Sequence, residues 1–423
     1  MASPQSMASS ALAWSAVILV SAFGCNRVSG LLPPSANGGA GGSSGASGGV
    51  GGSAELGGSG GGGASGAGAA GMAGSGGSID VGRFSVEFTW RGGAKGAYSM
   101  IHDDLCDVPH QSQMNTAAPE LLKQNLKAAF GAIVRSCNDN NRWADVNALK
   151  AAGHEILNHS WSHPDMVTAN PVLSQEIGDS TRDLNAKITG QVTTFFIFPY
   201  DSFNDTLIAA LASAGYQGAR AGKRGAFNLP TYTDDLRLNF DVFGPFNSMY
   251  GKLGPCAPEH LTADSIGQTV GADDACRMYV LNQYIDDVIA AGGWGLREMH
   301  GVGDTTWETV PTQNYKDHLA YVRSKVDAGL LWVDTPTTIL KYHRARAACA
   351  PTARDGMLSF ASASADCGKF AEPFDVVIDV ASGSANSLTV TQSGVAIPGK
   401  SMSPSRFLVT VDPTKGDGRI LTQ

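Results

Sequence analysis

An α/β fold of repeated βα units in barrel form, followed by a small all-β module, is what this sequence predicts. Three observations predict it. Short apolar stretches alternate with helical periods from Phe84 to Arg346, the pattern of a parallel sheet. The residues with chemistry to offer, Asp103, His159, Tyr200 and His300, each close a strand at its C-terminal end, where β/α barrels carry their sites. From about Ala347 the helical period gives way to strand-like alternation with turns rich in Gly, Ser and Pro.

The elements follow in order. Phe84 to Trp90 alternates as a strand, and Ala97 to Ile101 is a short apolar strand running into Asp103-Asp104. Leu121 to Val134 and Trp143 to Ala152 have helical spacing, the second ending at Gly153 as a C-cap. His154 to Leu157 is a strand, Ser174 to Ile188 a polar-faced helix, and Val192 to Phe198 a buried strand stopped by Pro199. Asp205 to Ala214 is a helix closed by Gly215, and Tyr279 to Ala291 another. Trp294 to Met299 is a strand ending at His300, Tyr315 to Ala328 a helix, Leu331 to Val333 a strand, and Pro336 to Arg346 the closing helix. In the final module Phe374 to Val380, Ser387 to Gln392 and Arg406 to Val411 read as strands, with turn signals at Asn386, Ser393-Gly394 and Lys415 to Gly418.

The N-terminal quarter is of another kind. Ala11 to Gly24 is apolar and small, too short to span a bilayer comfortably, and reads as an export signal without a basic residue ahead of it. It ends Ser21-Ala22-Phe23-Gly24-Cys25, which resembles a bacterial lipobox with Ala22 in place of the usual leucine. The expectation is an exported chain carrying a lipid on Cys25, which would hold it to a membrane. Asn26 after Cys25 points by sorting analogy to the outer membrane of a two-membrane cell. Residues 26–78 are dominated by Gly, Ser and Ala, lack the apolar content to fold, and read as a disordered tether. The expected division is therefore 1–25 signal, 26–78 linker, 79–346 catalytic domain and 347–423 accessory module.

Charge and cysteine use narrow the classes further. A net charge of -8 with no basic run argues against nucleic acid as a partner. With Cys25 set aside, six cysteines remain, an even number suited to disulfides in an oxidising compartment. They fall as three local couples, so the expected bridges are Cys106–Cys137, Cys256–Cys276 and Cys349–Cys367. No C-x-x-C pair exists, which argues against a zinc ribbon or a thioredoxin-like redox site.

The chemistry rests on two short motifs. His159 and His163, four apart in His-Ser-Trp-Ser-His, can turn both imidazoles toward one point. A carboxylate from Asp103-Asp104 would complete a three-ligand set with open positions, the arrangement of a catalytic metal site. The other aspartate of the pair is then free to act as a base toward water. Either motif alone is as readily a solvated turn or an exposed pair, and each gains weight from the other. His102, His154, His318 and His343 read as structural. Trp161 and Trp307 read as sugar-stacking or core residues, and Trp294 as core.

Ile101-His102-Asp103-Asp104, His159 to His163, Phe198-Pro199-Tyr200 and His300 resemble, in order and spacing, the motifs of the polysaccharide deacetylases, the NodB-homology enzymes of carbohydrate esterase family 4. The resemblance covers residues 84 to 346, and its most specific part is the two-histidine motif after Gly153 to Ile156. It implies a distorted (β/α) barrel with fewer than eight strands. It implies that Asp104, His159 and His163 bind a divalent metal, Zn2+ being the expected one, with Asp103 as general base and His300 as general acid. It implies that Tyr200 offers its backbone N–H to the developing oxyanion. Two positions depart from the family pattern. Ile197-Phe198 stand where an arginine commonly precedes the proline and helps orient the base, which leaves the tuning of Asp103 open. For the fourth family motif Asp234, Asp235, Arg237 and Asp241 lie in the right interval, with no choice among them.

The expected function is thus a hydrolase that removes N-acetyl groups from an acetylated polysaccharide, acting as a monomer outside the cytoplasm. The alternatives are an O-acetyl, xylan-type esterase of the same fold and a catalytically silent carbohydrate-binding surface lipoprotein. A stalk or adhesin whose C-terminal module carries the function is a further alternative.

Overall fold

The computed structural model describes residues 84–107, 111–244, 247–257, 273–361, 365–381 and 385–423. The export segment, Cys25 and the Gly/Ser/Ala-rich stretch lie outside these residues. Among the described residues no helix is long and apolar enough to cross a membrane.

Nine strands and eight helices alternate through the larger part: β1 (Phe84–Glu87), β2 (Gly96–Leu105), α1 (Ala118–Lys123), β3 (Ala129–Ala132), α2 (Val134–Asp139), α3 (Trp143–Ala151), β4 (Glu155–Asn158), α4 (Ser180–Lys187), β5 (Phe195–Ile197), α5 (Asp205–Ser213), β6 (Gly218–Arg224), β7 (Leu238–Val242), α6 (Asp274–Ala291), β8 (Trp294–Met299), α7 (Thr312–Asp327), β9 (Leu331–Val333) and α8 (Pro336–Ala348). Strands β2 to β8 are parallel neighbours in the order β3-β4-β5-β6-β7-β8-β2, and β2 pairs back onto β3, closing a seven-stranded barrel. The distortion is at β2. Its first residues Gly96, Ala97 and Tyr98 pair with β9, and only Ile101 onward pairs with β3. This is the expected α/β barrel with fewer than eight full strands.

The remaining elements are β10 (Pro351–Arg354), β11 (Met357–Phe360), α9 (Ala365–Phe370), β12 (Phe374–Val380), β13 (Leu388–Gln392), β14 (Val395–Pro398), β15 (Lys400–Ser403), β16 (Arg406–Val411) and β17 (Gly418–Thr422). They form two antiparallel sheets, β1-β12-β16-β15 and β10-β11-β17-β13-β14. Strand β1 belongs to this module in space although it precedes the barrel in sequence, pairing Phe84 with Val380 and Glu87 with Val377. The bridges Cys106–Cys137, Cys256–Cys276 and Cys349–Cys367 are all formed.

In the barrel three strands depart from the sequence reading, and in the final module β10, β11, β14, β15 and β17 join the three strands expected there. The helix expected from Leu121 to Val134 is instead α1, β3 and the start of α2. Strand β3 reads Ala-Phe-Gly-Ala, without β-branched residues, because it must pass close to its neighbours: a Cβ on Gly131 would collide with Ile197 and sit 3.3 Å from the Cβ of His159. Strand β6 reads Gly-Ala-Arg-Ala-Gly-Lys-Arg, with no apolar alternation, because Gly218 and Gly222 lie against Phe195 and the backbone of Arg237. Strand β7, Leu-Asn-Phe-Asp-Val, alternates apolar and polar residues as a strand does, and the sequence reading passed over it.

Candidate active site

The expected site residues meet at the C-terminal rim of the barrel. Asp103, Asp104, His159, His163, Tyr200 and His300 line one cavity of about 270 Å³, together with Asp201, Arg220, Arg224, Glu298 and Trp307. Asp103 and Asp104 close β2, His159 follows β4, Tyr200 follows β5, Arg220 stands on β6, and Glu298 with His300 ends β8.

The local backbone is bent sharply to present these groups. Asp104, Ser160, His163, Tyr200 and Asp201 all have φ between 52° and 67°, a left-handed conformation unusual for residues with a Cβ. The His159–His163 loop is tied at several points. Ser160 N–H donates to Asn158 Oδ1 at 2.9 Å, and His163 N–H to Ser160 Oγ at 2.9 Å. The backbone N–H and the hydroxyl of Ser162 donate to the Glu176 carboxylate at 2.9 and 2.7 Å. Gln113 donates to the Asp103 carbonyl.

Asp104 Oδ1 lies 3.3 Å from His159 Nε2 and 3.1 Å from His163 Nε2, and the two Nε2 atoms are 3.1 Å apart. A four-coordinate ion with bonds of about 2.0–2.1 Å needs donor atoms roughly 3.3 Å apart, so the triangle has the right size. His159 Nδ1 donates to the Ile197 carbonyl at 2.9 Å, which leaves the lone pair of Nε2 facing the triangle. Asp104 Oδ1 is buried and has no hydrogen bond. Three converging donors, one of them an orphaned buried oxygen, fit a divalent cation. Burial raises the Asp104 carboxyl, but His159, His163 and His300 outweigh it and hold the group well below the usual carboxylate range.

Asp103 Oδ2 comes no nearer than 3.8 Å to His159 Nε2 and has its main partner on β6. Arg220 grips it through Nη1–Oδ1 at 2.9 Å and Nη2–Oδ2 at 2.6 Å, a two-pronged pair buried on both sides. Burial pushes the Asp103 carboxyl up, yet Arg220 and His159 leave it lowered. Arg220 Nη2 also reaches Asp201 Oδ1 at 2.9 Å and lies 3.2 Å from Glu298 Oε2. Arg224 pairs with Asp201 from the outside. Burial, with repulsion from Asp201 and Asp103, drives Glu298 well above the carboxylate range despite Arg220. The unsettled orientation of Asp103 thus has a source one strand away from where an arginine was sought. Arg220 was missed because β6 was missed. The available signal was a basic residue set among alanines and glycines where the βα alternation calls for a strand.

His300 Nε2 is 3.7 Å from Asp104 Oδ2. Burial lowers its pKa against the pull of Asp104 and Asp103. Its carbonyl accepts from His102 Nδ1 at 2.8 Å, and His102 Nε2 meets the Tyr315 hydroxyl at 3.0 Å, so His102 is a buried neutral spacer behind the site. His154 and His318 are buried as well, and His343 stacks on Tyr232 at 4.0 Å. Tyr200 sits in a tight turn closed by Asp201 N–H on Phe198 O and Ser202 N–H on Pro199 O, which leaves its own N–H out of the turn's closing bonds. None of the fourth-motif candidates reaches the cavity. Asp241 is fully buried and paired with Arg297 at 2.9 Å, Asp234 pairs with Arg237 and Asp235 with Arg344.

Residues 95–219 match the family model described as polysaccharide deacetylase, a span that ends one residue before Arg220 and leaves out His300. A curated relative, an uncharacterized 30.6 kDa protein in the fumA 3′ region of Geobacillus stearothermophilus, is 33% identical over 73 residues, which is 17% of this chain. Those residues span only 28% of that relative. Among solved structures, a putative polysaccharide deacetylase from Mycobacterium smegmatis is 14% identical, covers 62% of this chain and 94% of its own, and has a TM-score of 0.44. A family 4 acetyl xylan esterase from Clostridium thermocellum, in complex with a cobalt ion, is 18% identical, covers 58% of this chain and 91% of its own, and has a TM-score of 0.35. A CE4-family pseudoenzyme from Bacillus anthracis is 13% identical, covers 58% of this chain and 66% of its own, and has a TM-score of 0.37. The first half of the barrel, from Lys95 to Ala219, is therefore similar in sequence to the polysaccharide deacetylase family model.

Proposed function

We propose that this protein is a divalent-metal-dependent hydrolase that removes N-acetyl groups from an extracellular or cell-wall polysaccharide. The observation that carries the reading is the division of labour between adjacent aspartates. Asp104 Oδ1 lies within 3.3 Å of two histidine nitrogens, while Asp103, 3.8 Å from His159 Nε2, has both its oxygens gripped by Arg220. A binding surface alone has no need of a carboxylate so oriented beside a ligand triangle.

Asp104, His159 and His163 would hold the ion. When bound, it would polarise the acetyl carbonyl and make a nearby water more acidic. Asp103 takes the proton from the attacking water at a carboxylate oxygen, with Arg220 fixing its direction and keeping it ionised. The water oxygen adds to the carbonyl carbon, and the N–H of Tyr200 donates to the oxygen that gains charge. The C–N bond then breaks as the amide nitrogen, a poor leaving group, receives a proton from His300. The products are acetate and a free amino sugar.

In this reading the expectations carried from the sequence remain as stated: Zn2+ as the ion, a monomeric chain, export, and attachment through a lipid on Cys25. The test is acetate release by the purified full chain from N-acetylglucosamine oligomers and from O-acetylated xylan, with added metal and with chelator. Metal-dependent release from the N-acetyl substrate supports the proposal. Release confined to the O-acetylated polymer replaces it with an esterase, and tight metal binding without release from either replaces it with a silent carbohydrate-binding protein.

A further inference from the structure

Among the described residues the aromatic side chains that stand well out in solvent are Tyr200, 66% accessible, and Trp307, 47% accessible. Both lie on the rim of the same cavity. The Tyr200 ring is 4.7 Å from His163, and the Trp307 ring is 5.0 Å from His300, so one flanks the ligand triangle and the other the proposed acid. Elsewhere the large aromatics are in the core or half-buried. A tryptophan left in water forgoes one of the largest apolar gains available to a side chain, and apolar surface exposed at a cavity rim marks a binding face.

The segment carrying Trp307 is tightly built. Gly303 N–H donates to Val310 O at 2.8 Å, and Val310 N–H to Gly301 O at 3.0 Å. Asp304 accepts the Thr306 N–H at 3.0 Å, the Thr306 hydroxyl at 2.6 Å and the Ser112 hydroxyl. Glu308, the next residue after Trp307, is buried with φ 48° and turns inward. Its carboxyl accepts the Gly244 N–H at 3.1 Å and the Asn247 amide. A Cβ at Gly244 would occupy the place of the Glu308 carboxyl and displace it. With Glu308 pinned inward, its neighbour is directed outward over the cavity. The His300 and Trp307 rings are nearly perpendicular, at 85°, an arrangement that leaves at least one indole face uncovered.

We infer that Trp307 is the stacking wall of a pyranose-binding subsite beside His300, held in position by Glu308, and that it takes the sugar unit next to the one being deacetylated. The inference rests on the glycan-hydrolase reading above and names a specificity-determining residue for it. A pyranose ring presents an apolar C–H face edged by hydroxyls. An indole face covers the first and leaves the second in water. A wall already ordered by its own hydrogen bonds adds little entropic cost on binding. The polymer, rather than a single sugar, is then the preferred substrate.

The test is calorimetric titration of metal-loaded full chain carrying Asp103→Asn, which blocks turnover, with N-acetylglucosamine oligomers of two to six units. Trp307→Ala in that background is expected to weaken the tetramer by about tenfold, a truncation effect typical of a binding hot spot, while Trp307→Phe keeps most of the affinity. In the otherwise unaltered chain the loss falls on KM for oligomers rather than on kcat. Affinity and KM that do not respond to Trp307→Ala overturn the subsite. Trp307-dependent oligomer binding without acetate release from any acetylated glycan leaves the subsite standing and removes the hydrolase reading instead.

Discussion

Arg220 holds both carboxylate oxygens of Asp103 across 117 positions of sequence, at 2.9 and 2.6 Å, inside the wall of the barrel. The pair lets two neighbouring aspartates differ. Asp104 is drawn toward the histidines, and Asp103 is kept ionised and aimed by a guanidinium.

Arg220→Lys is predicted to lower kcat by roughly a hundredfold, because a lysine cannot span both oxygens, and to leave metal affinity largely intact. Arg220→Ala is predicted to cost about 3–5 kcal/mol of stability, since it removes the guanidinium that pairs the buried Asp103 and leaves Asp201 with Arg224 alone. Steady-state kinetics, metal titration and thermal unfolding read the two effects separately. An Arg220→Lys chain with normal kcat contradicts the assignment.

Asp104→Asn is predicted to weaken divalent-ion affinity by more than about tenfold, because it neutralises the anionic ligand but conserves shape. Isothermal titration with Zn2+ checks this. Unchanged affinity would place the ion elsewhere.

Gly131→Ala is predicted to destabilise the barrel by about 1–3 kcal/mol through overpacking against Ile197 and the Cβ of His159. Because His159 is displaced with it, metal affinity should fall in the same variant. Loss of stability with unaltered metal binding would show that β3 does not support the ligand.

The Cys106–Cys137 bridge joins the residue two past Asp104 to helix α2, across a sequence separation of 31. Replacing both cysteines by serine is predicted to lower stability by about 3–4 kcal/mol through the loop freed in the unfolded chain. Urea unfolding with and without the pair measures it, and an unchanged midpoint would show the bridge to be dispensable.

Burial raises the Glu308 carboxyl to about 7, with Asp241 adding to the rise and Asn247, the Gly244 N–H and Arg224 opposing it. The folded value lies above the unfolded one, so the fold favours the protonated acid. That stabilisation is complete below about pH 4.5 and is lost as pH rises through about 7, by at most about 3 kcal/mol. Glu308→Gln should flatten the fall in melting temperature over this window. Parallel curves for the two chains would show that Glu308 does not titrate there.

Much of this was legible beforehand, and the illegible part had physical causes. Glycine caps at Gly153 and Gly215 and apolar runs such as Trp294 to Met299 mark elements because packing and period agree there. The histidine loop and the aspartate pair were legible because each supplies what the other lacks for a ligand set. Strands β3 and β6 were not, because small residues that admit close neighbours erase the apolar period. With β6 went Arg220, the partner that separates Asp103 from Asp104. Trp307 stood as stacking or core until its accessibility and its contact with His300 were seen. Strand β1 was placed correctly in sequence, yet its pairing with β12 depends on contacts nearly 300 residues away that no local pattern carries.

The most direct measurement is acetate release from N-acetylglucosamine oligomers by metal-loaded full chain, beside Asp103→Asn carrying the same amount of metal. The account predicts release by the first, abolished by chelator, and a loss of at least about a thousandfold in the second with its metal retained. Equal release by the two would contradict the assignment of Asp103 as the base that Arg220 holds in place.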